Sequence, residues 1–294
     1  MNLKNFINFK EIVMRVYIFG YKGQLGRELV KVFQSEYQVE GFDLPEFDIT
    51  NPSIVYSLLS KEPPDLVINA SAYTNVDKAE EEIDQAFLVN EVGARLVADL
   101  ANEWKVPIVY YSTDYVFDGM QRKPYKEDDP PNPLNVYGRT KLAGEHATQV
   151  ANPRHYILRT AWLYGPGGNN FIEKMVKLAE SKDKLEVSED EIGSPTYTLD
   201  LANITKEIVK TQAYGLYHAT NSGECSRYRF IKEAFSLMGI DKSIEPCSRT
   251  KFVTPANRPA YSVLDNSKLS SLLGHPIRSW DMALKDYVSR RGKE

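Results

Sequence analysis

Cysteine and histidine are scarce in this chain of 294 residues, with two of the first and four of the second. Cys225 and Cys247 make no disulfide framework and stand in no metal-ligand spacing, so two reduced thiols are expected. No histidines stand at ligand spacing, which argues against a histidine-built zinc site. Long apolar runs are missing too; nothing approaches the roughly 18–20 residues that span a bilayer. The opening "MNLKNFINFKEIV" is too polar for a secretory leader. Met14 stands directly before the first strand-like run, so translation is expected to start there, with residues 1–13 a dispensable extension. A net charge of −4 gives no electrostatic case for nucleic acid or an anionic membrane. A cytoplasmic location is expected.

What is present is ordinary for a folded domain: 42% hydrophobic and 26% charged residues. Strand-like runs rich in Val, Ile and Tyr occur at 15–20, 37–42, 65–70, 107–112 and 155–160. Most are apolar on both faces, as strands covered by helices on two sides must be. Amphipathic stretches of helical length separate them: about 24–34, one from Pro52 with Asn51 as cap, and a long one over about 84–103. This rhythm predicts an α/β fold with a Rossmann-like doubly wound parallel sheet and a smaller C-terminal substrate lobe. The expected division is 14–160 for the dinucleotide-binding core and 161–294 mainly for the lobe, with some segments returning to the core. The charged, proline-rich stretch 118–133 reads as a lid or as plain surface.

"YIFGYKGQLGREL" sets Gly20, Gly23 and Gly26 where the first strand meets the first helix. Glycines there allow a tight turn, let backbone approach a pyrophosphate and aim the helix N-terminus at its charge. The spacing is GxxGxxG rather than GxGxxG. Asp43 ends the second strand, where a carboxylate holds an adenosine ribose and favours NAD. Lys22 inside the glycine loop favours NADP, so NADH and NADPH both stay open. Asp48 and Ile49 are placed to frame the adenine.

"NVYGRTKLAGE" carries Tyr137 and Lys141 four residues apart, on one helix face. Gly138 and Gly144 each cost that helix about 1 kcal/mol, which suggests that something must come close. A nearby ammonium lowers a phenol's pKa; closing the gap to neutral pH needs roughly 4 kcal/mol, which the lysine and an oxidised nicotinamide's positive charge in a partly dry site would supply together. The bland alternative is a surface pair between Lys141 and Glu145. A second pair of the same spacing, Tyr228 and Lys232, reads as surface. The fourth strand ends in Ser112, Thr113 and Asp114, on the edge where ligands gather in such sheets.

Together these stretches resemble the extended short-chain dehydrogenase/reductases, and within them the dTDP-4-dehydrorhamnose reductases. "DLVINASAYTNVDKAE", "YYSTDYVFDG", "NPLNVYGRTKLAGE", "ILRTAWLYGPGGNNF", "GSPTYTLDLA" and "NRPAYSVLDNSKL" run in family order over nearly the whole chain from Met14. The resemblance implies NAD(P)H-dependent reduction of the C4 ketone of dTDP-4-dehydro-L-rhamnose. Tyr137 would be the general acid, Lys141 would lower its pKa and hold the nicotinamide ribose, and Thr113 would polarise the carbonyl. Asp114 would touch the sugar and Trp162 pack on it. Gly23, Gln24, Leu25, Asp43, Asp48 and Ile49 would line the adenosine and pyrophosphate, and Ala72, Tyr73, Thr74 and Tyr111 the path to the nicotinamide. Dehydratases of this superfamily carry Asp-Glu after the Thr; here Tyr115 follows Asp114, which argues against dehydration. Some relatives place an acidic metal cluster between subunits. Glu28 matches one member, but Leu199 is apolar where another belongs, so no metal is expected. A homodimer is left open. Two rival readings are a non-catalytic subunit like the β subunit of methionine adenosyltransferase and an epimerase with permanently held NAD.

Overall fold

The computed structural model describes residues 14–292. The expected extension at 1–13 lies outside them. Strand alternation places the core. In β1 (Arg15–Phe19), Val16 and Ile18 face one side of the sheet, while Tyr17 and Phe19 face the other. β2 (Gln38–Phe42), β3 (Leu66–Asn69), β4 (Ile108–Thr113) and β5 (His155–Thr160) follow within a residue or so of their expected bounds. β3 is buried throughout and so is β4, as strands packed on both faces should be. β2 is largely uncovered because it is an edge.

All pairings in this sheet are parallel, in the order β2–β1–β3–β4–β5, with a sixth strand, Gly215–His218, beside β5. The chain leaves β1 for one edge and then returns past it to β3. The order therefore reverses between β1 and β3, and a crevice opens at the carboxyl ends of the strands there. The sixth strand comes from the C-terminal half of the chain. It was not singled out in the sequence, because four residues carry too little periodicity.

One sheet face is covered by α1 (Gln24–Phe33), through Leu25, Leu29 and Phe33. α2 (Pro52–Ser57) follows, with Asn51 Oδ1 accepting from Ser53 N and Ile54 N. The long helical stretch resolves into α3 (Ile83–Phe87), a π-helical turn at Leu88–Gly93 and α4 (Ala94–Glu103). α4 buries Val97, Ala98, Leu100 and Ala101 on the second face, with α5 (Val136–Ala151) beside it. Each fully buried Val or Leu contributes about 1.5–3 kcal/mol of transfer free energy.

Beyond β5, α6 (Phe171–Ser181) belongs to the lobe, but α7 (Thr198–Ile208) returns to the sheet and lies next to α1. Leu201, Ile204 and Ile208 share its core with Leu29 and Phe33. α8 (Arg227–Met238), whose cap Ser226 accepts from Arg229 N, goes back to the lobe. The lobe has its own aromatic core of Tyr164, Tyr197, Phe230, Trp280 and Tyr287. A parallel pair, Lys184–Ser188 with Ser243–Cys247, flanks it. The stretch 118–133 is mostly exposed but anchored at Tyr125, which is buried, its ring stacked 4.2 Å from Phe117. The Tyr125 backbone bonds to Val263 and Asp265, so the stretch is a strap tied to the C-terminal segment.

Candidate active site

The crevice at the strand reversal is a cleft of about 810 Å³. That volume suits a ligand of dinucleotide or nucleotide-sugar size better than a small metabolite. Its floor is the glycine loop. Gly20 has φ +78°, and a Cβ there would sit 2.6 Å from Ser71 N. A Cβ on Gly26 would lie 2.1 Å from Gly20 O, so strand and helix could not approach as they do. Gly23 caps α1 with no side chain to satisfy the first turn's N–H groups. Those donors and the helix dipole make an anion site at the cleft wall. This cradle fits a dinucleotide's pyrophosphate.

Asp43 accepts from the backbone N–H groups of Lys22 (2.8 Å) and Leu44 (2.8 Å), which fixes its carboxylate at the cleft rim. The Lys22 ammonium turns to Glu46 and the Leu44 carbonyl, both at 2.7 Å. Opposite, Arg27 donates to Gly167 O (2.5 Å), and Asn170 Nδ2 donates to Gln24 Oε1 (3.1 Å). These two contacts tie the glycine loop to the 165–170 turn. Neither Arg27 nor that contact was foreseen from the sequence; only the Gly-Pro-Gly-Gly composition of the turn hinted at a close approach.

Across the cleft, α5 begins at Asn135, whose side chain accepts from Gly138 N (2.7 Å). Tyr137 is half-buried and Lys141 buried, and both line the cleft with Thr113. The Lys141 ammonium lies 4.0 Å from the centre of the Tyr110 ring. The surface-pair alternative for Lys141 is overturned. Glu145 is taken by Arg159 of β5 in a buried two-pronged pair at 2.8 and 2.7 Å. The glycines of α5 have their reason as well. A Cβ on Gly138 would be 2.2 Å from Tyr115 O, and one on Gly144 2.1 Å from Asn90 O. What comes close is the protein's own backbone, including the π-helical turn. Asn90 of that turn holds Tyr73 N (2.8 Å) and donates to Thr140 Oγ1 (2.9 Å), which pins α5 sideways.

Electrostatics in the protein alone run against the simple expectation for the pair. Burial holds the Tyr137 phenol well above its usual range, with the Thr113 hydroxyl pulling the other way. Burial also brings Lys141 down to about 7, opposed by the charge of Glu145. The phenol is thus fully protonated at neutral pH, the state an acid needs.

Asp114 is buried and pushed up to about 6 by burial, against hydrogen bonds from Ser262 and Thr113. Trp162 lines the cleft at φ +45°, a conformation that costs a bulky residue strain. The Arg227 guanidinium lies 3.6 Å from the centre of its ring and holds it there. Tyr111 lines the cleft while its hydroxyl bonds Thr205 of α7 at 2.8 Å.

Every residue given a catalytic, cofactor or substrate role in the sequence lines this cleft except one. Gly20, Gly23, Gln24, Leu25, Gly26, Asp43, Asp48, Ile49, Ala72 and Thr74 line it, as do the residues of the catalytic and substrate sets. Tyr73 does not; its hydroxyl donates to Glu82 (2.7 Å) and its ring packs with Ala79 and Val136. The Tyr228/Lys232 pair is not part of the cleft lining: Lys232 is exposed, Tyr228 is half-buried against the lobe's core, and 3.3 Å separate ammonium and hydroxyl. Glu28 is buried and pairs with Lys31, and among the described residues no acidic or His/Cys group is arranged to hold a metal ion.

Comparison with known proteins agrees with this geometry. A family model described as "RmlD substrate binding domain" matches residues 14–292. A dTDP-4-dehydrorhamnose reductase of Aggregatibacter actinomycetemcomitans is 39% identical over 92% of this chain and 97% of its own. The solved structure of a dTDP-4-dehydrorhamnose reductase from Clostridium acetobutylicum is similar with a TM-score of 0.91 and 42% identity, covering 94% of this chain and 99% of that one. Another, from Bacillus anthracis and in complex with NADP, gives a TM-score of 0.91 and 38% identity over 95% of this chain and 100% of that one.

Proposed function

The chain belongs to the RmlD substrate-binding-domain family, and from that premise we propose that it reduces the C4 ketone of dTDP-4-dehydro-L-rhamnose to dTDP-L-rhamnose. It is a nicotinamide-dependent oxidoreductase acting on the keto group of a dTDP-linked sugar. The observation that carries the proposal is the meeting of Tyr137, Lys141 and Thr113 with the uncapped N-terminus of α1 in one cleft.

The glycine loop and the first turn of α1 would hold the pyrophosphate, and Asp43 with Asp48 and Ile49 the adenosine end. When bound, the nicotinamide supplies the hydride. Thr113 donates to the ketone oxygen and Tyr137 delivers the proton to it, so that negative charge never accumulates there unscreened. Lys141, four residues on, stabilises the phenolate left behind; a charge in this dry wall acts more strongly than it would in water. Trp162, braced by Arg227, offers a flat apolar surface to the sugar. The arrangement has no second carboxylate after Thr113 and Asp114, which disfavours elimination of water.

A cytoplasmic location is part of the same proposal; among the described residues no helix is long and apolar enough to cross a membrane. Purified protein mixed with NADPH and dTDP-4-dehydrorhamnose tests the reading. Loss of the reduced-nicotinamide absorbance with formation of dTDP-rhamnose supports it, and an unchanged absorbance at high protein concentration refutes it in favour of a non-catalytic subunit.

A further inference from the structure

Thr113 has one hydroxyl hydrogen, and here it is already used. The hydroxyl accepts from Tyr115 N at 3.2 Å and donates to Asp114 Oδ1 at 3.1 Å. For Thr113 to polarise a ketone, Asp114 must release that hydrogen and receive another in its place. The two carboxylate oxygens are held unequally. Oδ2 receives a 2.5 Å hydrogen bond from Ser262, 148 positions further along the chain. Ser262 does not line the cleft, and its own backbone is fixed by a bond from its N–H to Ile192 O at 2.9 Å. It is a stationary donor behind the carboxylate. Asp114 itself, though only 2% exposed, lines the cleft. The other groups around it are the Tyr115 and Tyr137 phenols and Arg227, whose guanidinium is engaged with Trp162 and Glu191.

We propose that Ser262 is a positioning residue for the reduction: it pins Asp114 through Oδ2, so that Oδ1 exchanges the Thr113 hydroxyl for a substrate hydroxyl beside the ketone. The exchange releases the Thr113 hydrogen to the ketone oxygen. It makes the adjacent hydroxyl of the sugar a requirement for turnover as well as for binding, and it requires Asp114 to be ionised. The inference rests on the reductase reading above.

The test uses the full chain with Ser262→Ala, Asp114→Asn and the double variant. Loss of a hydrogen bond to a charged group lowers kcat by about 10- to 100-fold in Ser262→Ala. The acid limb of kcat/KM, near pH 6 in the unaltered protein, moves to higher pH because Asp114 has lost a stabilising donor. NADPH affinity, read by cofactor fluorescence, stays the same. In the Asp114→Asn background, Ser262→Ala adds less than about 3-fold. An unmoved limb, or an equal loss in both backgrounds, overturns the proposal. If Ser262→Ala fails to bind cofactor, Asp114→Asn alone decides: the limb must vanish, and its persistence overturns the proposal. Failure of the reductase reading is distinguishable as absent turnover in the unaltered protein. Carboxyl NMR then decides, since an Asp114 titration unaltered by Ser262→Ala contradicts the pinning.

Discussion

Replacing Lys141 by Met should make the protein more stable and less active. Lys141 is buried beside the Tyr110 ring, and burial brings its ammonium from 10.5 to about 7. That displacement corresponds to about 5 kcal/mol disfavouring the charged form in the folded protein. The sign follows from the direction. The unfolded chain binds the proton up to pH 10.5, the folded one only up to about 7, so stability rises with pH between those values. Below pH 7 the full penalty applies. Met has nearly the same length and no charge to desolvate, so the variant escapes the penalty at neutral pH, by about 1–4 kcal/mol. Thermal unfolding followed by calorimetry from pH 6.5 to 10 measures it. The variant's midpoint should lie several degrees above the unaltered protein's at pH 7, and the two should converge toward pH 10. A variant that is less stable at pH 7, or a gap that does not shrink with pH, refutes the reasoning. Turnover should meanwhile fall at least tenfold, the exchange of stability for activity that a strained catalytic group implies.

Glu145→Gln leaves the Arg159 guanidinium buried without a counter-charge and should destabilise the fold by about 3–5 kcal/mol, read as a lowered urea midpoint. Retained stability would mean that the pair is relieved by solvent. Gly26→Ala forces a Cβ to within 2.1 Å of Gly20 O, so the glycine loop must shift. NADPH affinity should drop by about tenfold or more, with the aromatic core of the lobe and its near-ultraviolet signal preserved.

Most of the sheet was legible because its strands are short, β-branched and bounded by helical stretches, a local pattern. Asn51 was readable as a cap for the same reason: the donor groups it satisfies lie two or three residues away. The glycine loop, β4's end and α5 were readable because a cofactor cleft needs those residue types at those junctions. What was hidden depends on distant partners. That some segments after 160 return to the core was expected, but which ones do, α7 and the sixth strand, is set by burial against α1 and β5, which periodicity alone cannot assign. The π-helical turn looks like ordinary helix in sequence, since Asn90 reveals its role only through Tyr73 and Thr140. Ser262 carries no local signal at all. The expected depression of the tyrosine's pKa rests on the lysine together with a nicotinamide's positive charge; in the protein alone, burial raises Tyr137 and brings the lysine down.

Tyr137→Phe removes one oxygen from a half-buried ring and nothing else, so it isolates the proton donor. Single-turnover reduction of dTDP-4-dehydrorhamnose, with NADPH binding measured on the same sample, should show unaltered cofactor affinity and a chemical step slowed by about 10²- to 10⁴-fold. Chemistry at the original rate in a cofactor-saturated Phe variant would mean that the proton comes from elsewhere, and the assignment of this cleft's acid would be wrong.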